Sequence, residues 1–389
     1  MTGLKIKAKL ILVFAIVTFV ASVFSVVSAL AAQQAAVKGD VSITYYAPSI
    51  MAGMPTLETE KHIIFDYYNN QSANIVGYQE TAIDVDYVGY AGGGISLFTN
   101  NETAYILSHR EIVPGYNSCR SYFSGFTSLQ SVTFNNFKTD EVTDMSDMFS
   151  NCSSIQYINL SNLKTNSEGV ITTSMFDGCT SLTKVTLPSS TSFRLKNKAK
   201  NEEFAMFRNC KSLTEIENET KIDTSLLTSM RKMFYCCESI ETLQGKFNTI
   251  NVENFRYMFS GCKKLWTILY TEDWIVDGNV VYRALDYMFQ GCEELIFIYV
   301  NGFINIKYLG EYDEETTAYL TCMFQGCKKL SYIYASEAWE SEVDDNCFDG
   351  CELLAGWENG NPTFWYDSSK TSSKDYARFA PNGYFTLAE

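Results

Sequence analysis

The apolar positions of this chain fall into a repeated segment, clearest in Met258-Phe259-Ser260-Gly261-Cys262 followed by Lys263-Lys264-Leu265-Trp266-Thr267-Ile268. Close copies begin at Met148, Met175, Met206, Met233, Met288 and Met323, with a degenerate copy at Cys347 and a cysteine-less forerunner at Tyr122. Counted from the cysteine slot, position +3 reads Leu129, Ile155, Leu182, Leu213, Ile240, Leu265, Leu295, Leu330 and Leu354. Position +6 reads Val132, Ile158, Val185, Ile216, Leu243, Ile268, Ile298 and Ile333, then Trp357. This L-x-x-L-x-L pattern is the strand half of a leucine-rich repeat. Just ahead of it, Met145, Met148, Phe149 and Cys152 recur at i, i+3, i+4 and i+7, which predicts a short helical turn. Each unit is expected to run from a helical turn through a tight bend at Gly or Asn into a strand.

Successive copies start 24 to 35 residues apart, a period at which each unit is one supersecondary turn that buries its apolar side only by stacking on its neighbours. The expected fold is an α/β leucine-rich-repeat solenoid of about nine coils, with a parallel sheet on one face and short helical turns. Four domains are expected: a leader at 1–32, a β-rich N-terminal cap at 33–116, the solenoid at 117–354 and an aromatic C-terminal cap at 355–389. A cap is physically required, because the first coil would otherwise expose an apolar end and an open sheet edge. Short strands are expected at 41–45, 62–65, 83–87 and 103–107, with Gly92-Gly93-Gly94 as a hairpin tip. Trp357, Phe364, Trp365, Tyr366, Tyr376, Phe379, Tyr384 and Phe385 suit a lid over the last coil, or a carbohydrate site made from the same rings.

In the leader, Lys5, Lys7 and Lys9 precede an uncharged run from Leu10 to Ala32 that ends in Ala29-Leu30-Ala31. This reads as a secretory signal peptide, with an uncleaved N-terminal membrane anchor as the rival. Either way the bulk of the chain is expected outside the cytoplasm, extracellular or at the cell surface. The formal charge is −15, and without the leader 27 basic residues face 45 acidic ones. Nucleic-acid binding is therefore disfavoured. Arg194, Lys196, Lys198 and Lys200 make a local basic loop in an insertion, expected to be solvated.

Eight of the 12 cysteines, Cys152, Cys179, Cys210, Cys237, Cys262, Cys292, Cys327 and Cys351, share one slot and are expected to stack inward as a ladder of free thiols. Any disulfide belongs among Cys119, Cys236, Cys322 and Cys347. Zinc is disfavoured because no histidine follows the Cys322 and Cys327 pair or the Cys347 and Cys351 pair. The next slot holds Lys211, Glu238, Lys263, Glu293, Lys328 and Glu352, alternating in sign, which predicts a charge ladder that fixes register. No cofactor is implied.

Strand positions +5 and +7 should face solvent. They are polar in the early coils, except Tyr157, and then become Thr267 and Leu269, Phe297 and Tyr299, Tyr332 and Tyr334. Leu269, Phe297, Tyr299, Tyr332 and Tyr334 are the candidate ligand-binding residues, as one exposed patch or as a surface covered by the insertion at 301–317. Insertions around 190–204, 271–283 and 301–317 are further candidate contact loops. Catalysis finds little support, since His62 and His109 lie near no nucleophile motif and no carboxylate pair is singled out. Asp344-Asp345-Asn346 with Asp349 lacks calcium-loop spacing and is expected to be a polar turn.

The M-x-x-M-F-x-x-C-x-x-L-x-x-L-x-L unit, most complete from Met145 to Leu160, resembles the BspA-like leucine-rich-repeat proteins of bacterial surfaces, in their Met-Phe-x-Gly-Cys variant. The ending Asp375-Tyr376-Ala377-Arg378, then Gly383-Tyr384-Phe385-Thr386, is similar to endings in that family. Cys347 in a methionine slot and Phe126 in a cysteine slot depart from the pattern, both in terminal coils. The resemblance covers 117–389 and implies a non-enzymatic, secreted or surface-displayed binding protein, in some members an adhesin for host matrix proteins or other cells. Its expected partner is a protein or glycan ligand. The alternatives are a self-associating component of the cell envelope or matrix and, behind that, an exported hydrolase.

Overall fold

The computed structural model describes residues 42–43, 60–67, 79–83, 95–99, 102–108, 113–114, 117–164, 168–188, 193–281, 284–300, 303–309, 321–335, 346–358, 361–369 and 384–387. The leader at 1–32, Gly92-Gly93-Gly94, His109 and Asp344-Asp345 lie outside the described residues. Among those described, no helix is long and apolar enough to cross a membrane.

The chain is a leucine-rich-repeat solenoid whose coils stack through parallel ladders. Tyr157–Asn159, Lys184–Thr186 and Glu215–Glu217 pair in register, so that Ile158, Val185 and Ile216 lie side by side. The row continues with Thr242–Leu243 on Thr267–Ile268, and with Phe297–Tyr299 on Tyr332–Ala335. Period-2 alternation turns Ile158, Leu243, Ile298 and Ile333 inward.

The segments expected to be helical turns are not helical. Asp147 and Asn151, Ser174 and Gly178, and Tyr257 and Gly261 all have left-handed φ, between 55° and 79°, and the same two slots do so in the other copies. A left-handed residue every fourth position ends helical propagation. Instead Met148, Ser150 and Cys152 donate N–H bonds to Met145, Asp147 and Phe149 three residues back, while Asp147, Phe149 and Asn151 donate to Thr173, Met175 and Asp177 of the next coil. Two tandem turns thus place Met, Met, Phe and Cys inward with helix-like spacing, while half of their N–H groups cross to the neighbouring coil.

Inside, the phenylalanines form one stack. Consecutive centroids of Phe123, Phe149, Phe176, Phe207, Phe234, Phe259, Phe289, Phe324 and Phe348 are 5.1 to 6.1 Å apart. All interplanar angles along it are 21° or less.

The described parts of the insertions carry paired strands. Phe193–Lys196 lies in a second strand row between Val170–Ile171 and Ile222–Asp223, with Phe193 and Leu195 buried. The basic stretch expected as a loop is therefore partly a strand, with Arg194 paired to Asp223 at 3.1 Å and Lys200 to Glu253 at 2.9 Å. Parts of the other two insertions pair with each other, Val276–Val281 running parallel to Phe303–Leu309.

At the N-terminal end His62–Tyr67 pairs in parallel with both Thr103–Ser108 and the first coil's Ser131–Phe134. Gln79–Ile83 and Ile95–Thr99 complete a five-stranded sheet. Of the strand expected at 83–87 only Ile83 is among the described residues, where it ends Gln79–Ile83, and Ile95–Thr99 was not anticipated. At the other end Phe385–Leu387 pairs with Tyr332–Ala335, while Ala355–Glu358 forms a hairpin with Asn361–Trp365. Tyr384 packs edge-on against Phe348 at 5.1 Å and closes the stack.

Candidate interaction face

The outward aromatic residues come together on two paired strands. Phe297 lies opposite Tyr332 and Tyr299 opposite Tyr334. Tyr299 and Tyr334 stack at 4.6 Å and 16°, Tyr332 lies 5.9 Å from Tyr334, and Phe297 meets Tyr299 edge-on at 6.1 Å. All four are half-buried. Burial, then the neighbouring Tyr299 and Tyr332, push the Tyr334 hydroxyl above the usual tyrosine range.

Leu269 is 40% exposed at the end of the adjoining strand. Thr267, expected to face solvent beside it, is only 1% exposed, and Thr186 at the same kind of outward position is also buried. Thr186 lies beneath its neighbours, its hydroxyl 3.1 Å from that of Tyr157 and donating to Glu217 at 2.7 Å.

Sequence reasoning missed Trp266 and Ile296, exposed by 41% and 39%. They occupy position +4, which is Gln156, Thr183, Thr214 and Glu241 in earlier coils, so the same change from polar to apolar was present there. The two are on adjoining rungs, with the Ile296 N–H donating to the Trp266 carbonyl at 3.1 Å. Tyr270 extends the exposed apolar surface and carries the Lys246 ammonium 4.3 Å from its ring centroid.

Charges border this surface. Lys211 and Lys263 both reach Glu238, at 3.5 and 2.7 Å, and Lys328 reaches Glu293 at 2.6 Å. Glu352 is exposed at the end of the row. The hydrogen bond from Lys263 holds the Glu238 carboxyl below the usual range. One slot further on, Lys329 pairs with Glu294.

The eight cysteines of the shared slot are buried and free. Each Sγ faces the phenylalanine carbonyl of the preceding coil, from Cys152 on Phe123 at 2.9 Å and Cys179 on Phe149 at 3.0 Å to Cys327 on Phe289 at 3.1 Å and Cys351 on Phe324 at 3.0 Å. Cys210, Cys237, Cys262 and Cys292 repeat the contact at 3.1 to 3.2 Å. Burial pushes these thiols up. Cys119, Cys322 and Cys347 are buried and Cys236 is half-buried. Among the described residues no group of three His, Cys, Asp or Glu side chains converges on a metal position.

His62 does meet a hydroxyl, its Nδ1 lying 2.8 Å from Ser131 Oγ across paired strands. The Ser131 N–H is already bonded to the Lys61 carbonyl at 3.1 Å, so it cannot serve an oxyanion. A polar cleft of about 220 Å³ beside the first coil is lined in part by Tyr67, Asn135, Lys138 and Asn162.

Ladders, stacked core and capped ends define a parallel-stranded leucine-rich-repeat solenoid with a cluster of aromatic rings on its outward strand face. Over residues 117–213 and again over 202–297, the sequence matches the profile of a family described as "Mycoplasma protein of unknown function, DUF285". No curated protein matches it. Among solved structures the chain is similar to a leucine-rich cell surface protein from Faecalibacterium prausnitzii, at 18% identity and a TM-score of 0.33, over 84% of this chain and 59% of that one. It is also similar to TLR13 in a TLR13–ssRNA13 complex, at 15% identity and a TM-score of 0.22, over 63% of this chain and 38% of that one. The chain spans less than two thirds of either.

Proposed function

We propose that this chain is a secreted or surface-displayed, non-enzymatic binding protein that holds a protein partner on the face formed by Phe297, Tyr299, Tyr332 and Tyr334. The observation that carries this is the 4.6 Å stack of Tyr299 on Tyr334, on the outward side of strands whose counterparts in earlier coils are mostly polar. Clustered aromatic residues with a charged border are the composition of a contact hot spot. Mutual stacking occupies ring faces that a sugar would need, leaving edges and hydroxyls, which suits a protein better than a glycan. Placement outside the cytoplasm is supported by the Lys5, Lys7 and Lys9 cluster ahead of the uncharged 10–32 run, and an adhesin role by the BspA-like repeat.

The test is binding of the full chain to an array of matrix proteins and glycans, beside a variant with all four rings changed to serine and shown folded by circular dichroism. Binding by the parent alone supports the face. Equal binding by both removes it and moves the contact to the caps or to the paired insertions.

A further inference from the structure

The charge row bordering the aromatic face has a symmetry that its ion pairs within the chain leave unused. Lys211, Glu238, Lys263, Glu293, Lys328 and Glu352 alternate in sign, and Lys264, Glu294 and Lys329 alternate in the same phase one slot further on. With three lysines against three glutamates, the six-residue row has no net charge to attract a partner of one sign. It discriminates by pattern, and this chain itself carries the matching pattern.

Consider a two-fold axis lying in the sheet face, parallel to the strands and midway between Phe297–Tyr299 and Tyr332–Ala335. It reverses the order of coils but keeps every slot at the same edge of the interface. Each rung then meets one of opposite parity. Glu293 faces Lys328 of the second copy, Glu294 faces Lys329, and Lys263 faces Glu352. An axis placed on a rung would bring like charges together, so the alternation selects one register. The same operation sets Phe297 against Tyr332 and Tyr299 against Tyr334 of the other copy, because each pair is already opposite across the strands that flank the axis. Two sheets packed face to face leave about 10 Å between them, the depth that two layers of side chains fill.

We infer that the partner of this face is a second copy of the chain, docked antiparallel about an axis between Phe297–Tyr299 and Tyr332–Ala335. This rests on the aromatic residues being an interaction face, and commits that face to one occupant.

Sedimentation equilibrium of the full chain tests it, with Glu293→Lys, Lys328→Glu, the double exchange Glu293→Lys/Lys328→Glu, and an equimolar mixture of the two single variants. The uncharged leader run is common to all of them and cannot produce a dependence on charge pattern. Each single variant places like charges across the axis and is expected to associate at least about tenfold more weakly than the parent. The mixture and the double exchange restore opposite charges and are expected to recover dimers, which also shows that the single variants fold. A parent that stays monomeric, single variants that associate like the parent, or a mixture that stays monomeric would each overturn the inference. A monomeric parent that binds an array protein through the four rings removes only the second copy as partner and leaves the face standing. Dimers unaffected by Tyr299→Ser/Tyr334→Ser place self-association elsewhere and overturn it.

Discussion

Cys262 lies one coil beyond Phe234, with its Sγ 3.1 Å from the Phe234 carbonyl oxygen. The same oxygen accepts the N–H of Cys237 in its own coil at 3.0 Å. A thiol is small enough for the slot and supplies a weak donor, so the second lone pair of each phenylalanine carbonyl is used without a polar group that must find more partners. A disulfide would remove that donor. Cys262→Ala deletes both the donor and the sulfur volume, and is expected to cost about 1 to 3 kcal/mol. Urea unfolding against the parent checks this, and an unchanged midpoint would show that the contact is incidental.

The ladder also makes stability depend on pH at the alkaline end. An unfolded cysteine titrates near pH 8.5, roughly, whereas burial pushes the ladder thiols of Cys210, Cys262 and Cys327 well above that. With the folded pKa raised, the folded state keeps protons that the unfolded state gives up. Stability is fully present below about pH 8.5 and falls by up to about 1.4 kcal/mol per pH unit for each such thiol as pH rises toward the folded value. Tyr384, pushed up to about 12 by burial, acts in the same direction higher on the scale. Thermal melts from neutral pH upward should show a steep loss of stability beginning near about pH 9, shallower in a Cys237→Ala/Cys262→Ala variant. A midpoint flat across that range would exclude buried protonated thiols.

These slots were legible in the sequence because one coil's solution is reused in the next, so a cysteine or phenylalanine recurs wherever its contact recurs. The tandem turns were not, because left-handed Asp147, Lys232 and Tyr257 carry no glycine signal, while the apolar spacing of Met145, Met148, Phe149 and Cys152 is that of a helix. Outward alternation located Phe297, Tyr299, Tyr332 and Tyr334. It failed at Thr267, and it passed over Trp266 and Ile296 because +4 lies at the bend where strict alternation has not begun. Contacts such as His62 with Ser131, 69 residues apart, depend on the pairing of the cap with the first coil.

Two glycines separate backbone strain from crowding. Gly125 has φ +81° and a Cβ there would meet nothing within 4 Å, whereas Gly245 has φ +64° and a Cβ would come within 2.3 Å of the Leu269 carbonyl oxygen. Gly125→Ala should cost only the left-handed penalty, about 1 to 2 kcal/mol. Gly245→Ala adds a backbone clash between neighbouring coils and is expected to cost more, with a lower melting temperature than Gly125→Ala. Equal melting temperatures would contradict the close approach of residues 245 and 269.

The C-terminal strand is expected to be a structural closure rather than an appendage. Tyr384 is fully buried, its ring covers Phe348, and its hydroxyl accepts the Asp367 N–H at 3.0 Å. Tyr384→Phe keeps the ring and loses one hydrogen bond, for an expected cost of about 0.5 to 1.5 kcal/mol. Tyr384→Ala opens the end of the phenylalanine stack and is expected to cost about 3 to 5 kcal/mol. Because each coil is stabilised mainly by its neighbours, the loss should begin at this end. Hydrogen exchange should therefore rise first in Phe324, Gly326 and Cys327, whose amides lie in the adjoining coil, with Phe149 and Phe176 protected as in the parent. Exchange that rises equally at both ends would mean that the solenoid opens as one unit and that Tyr384 does not cap it locally.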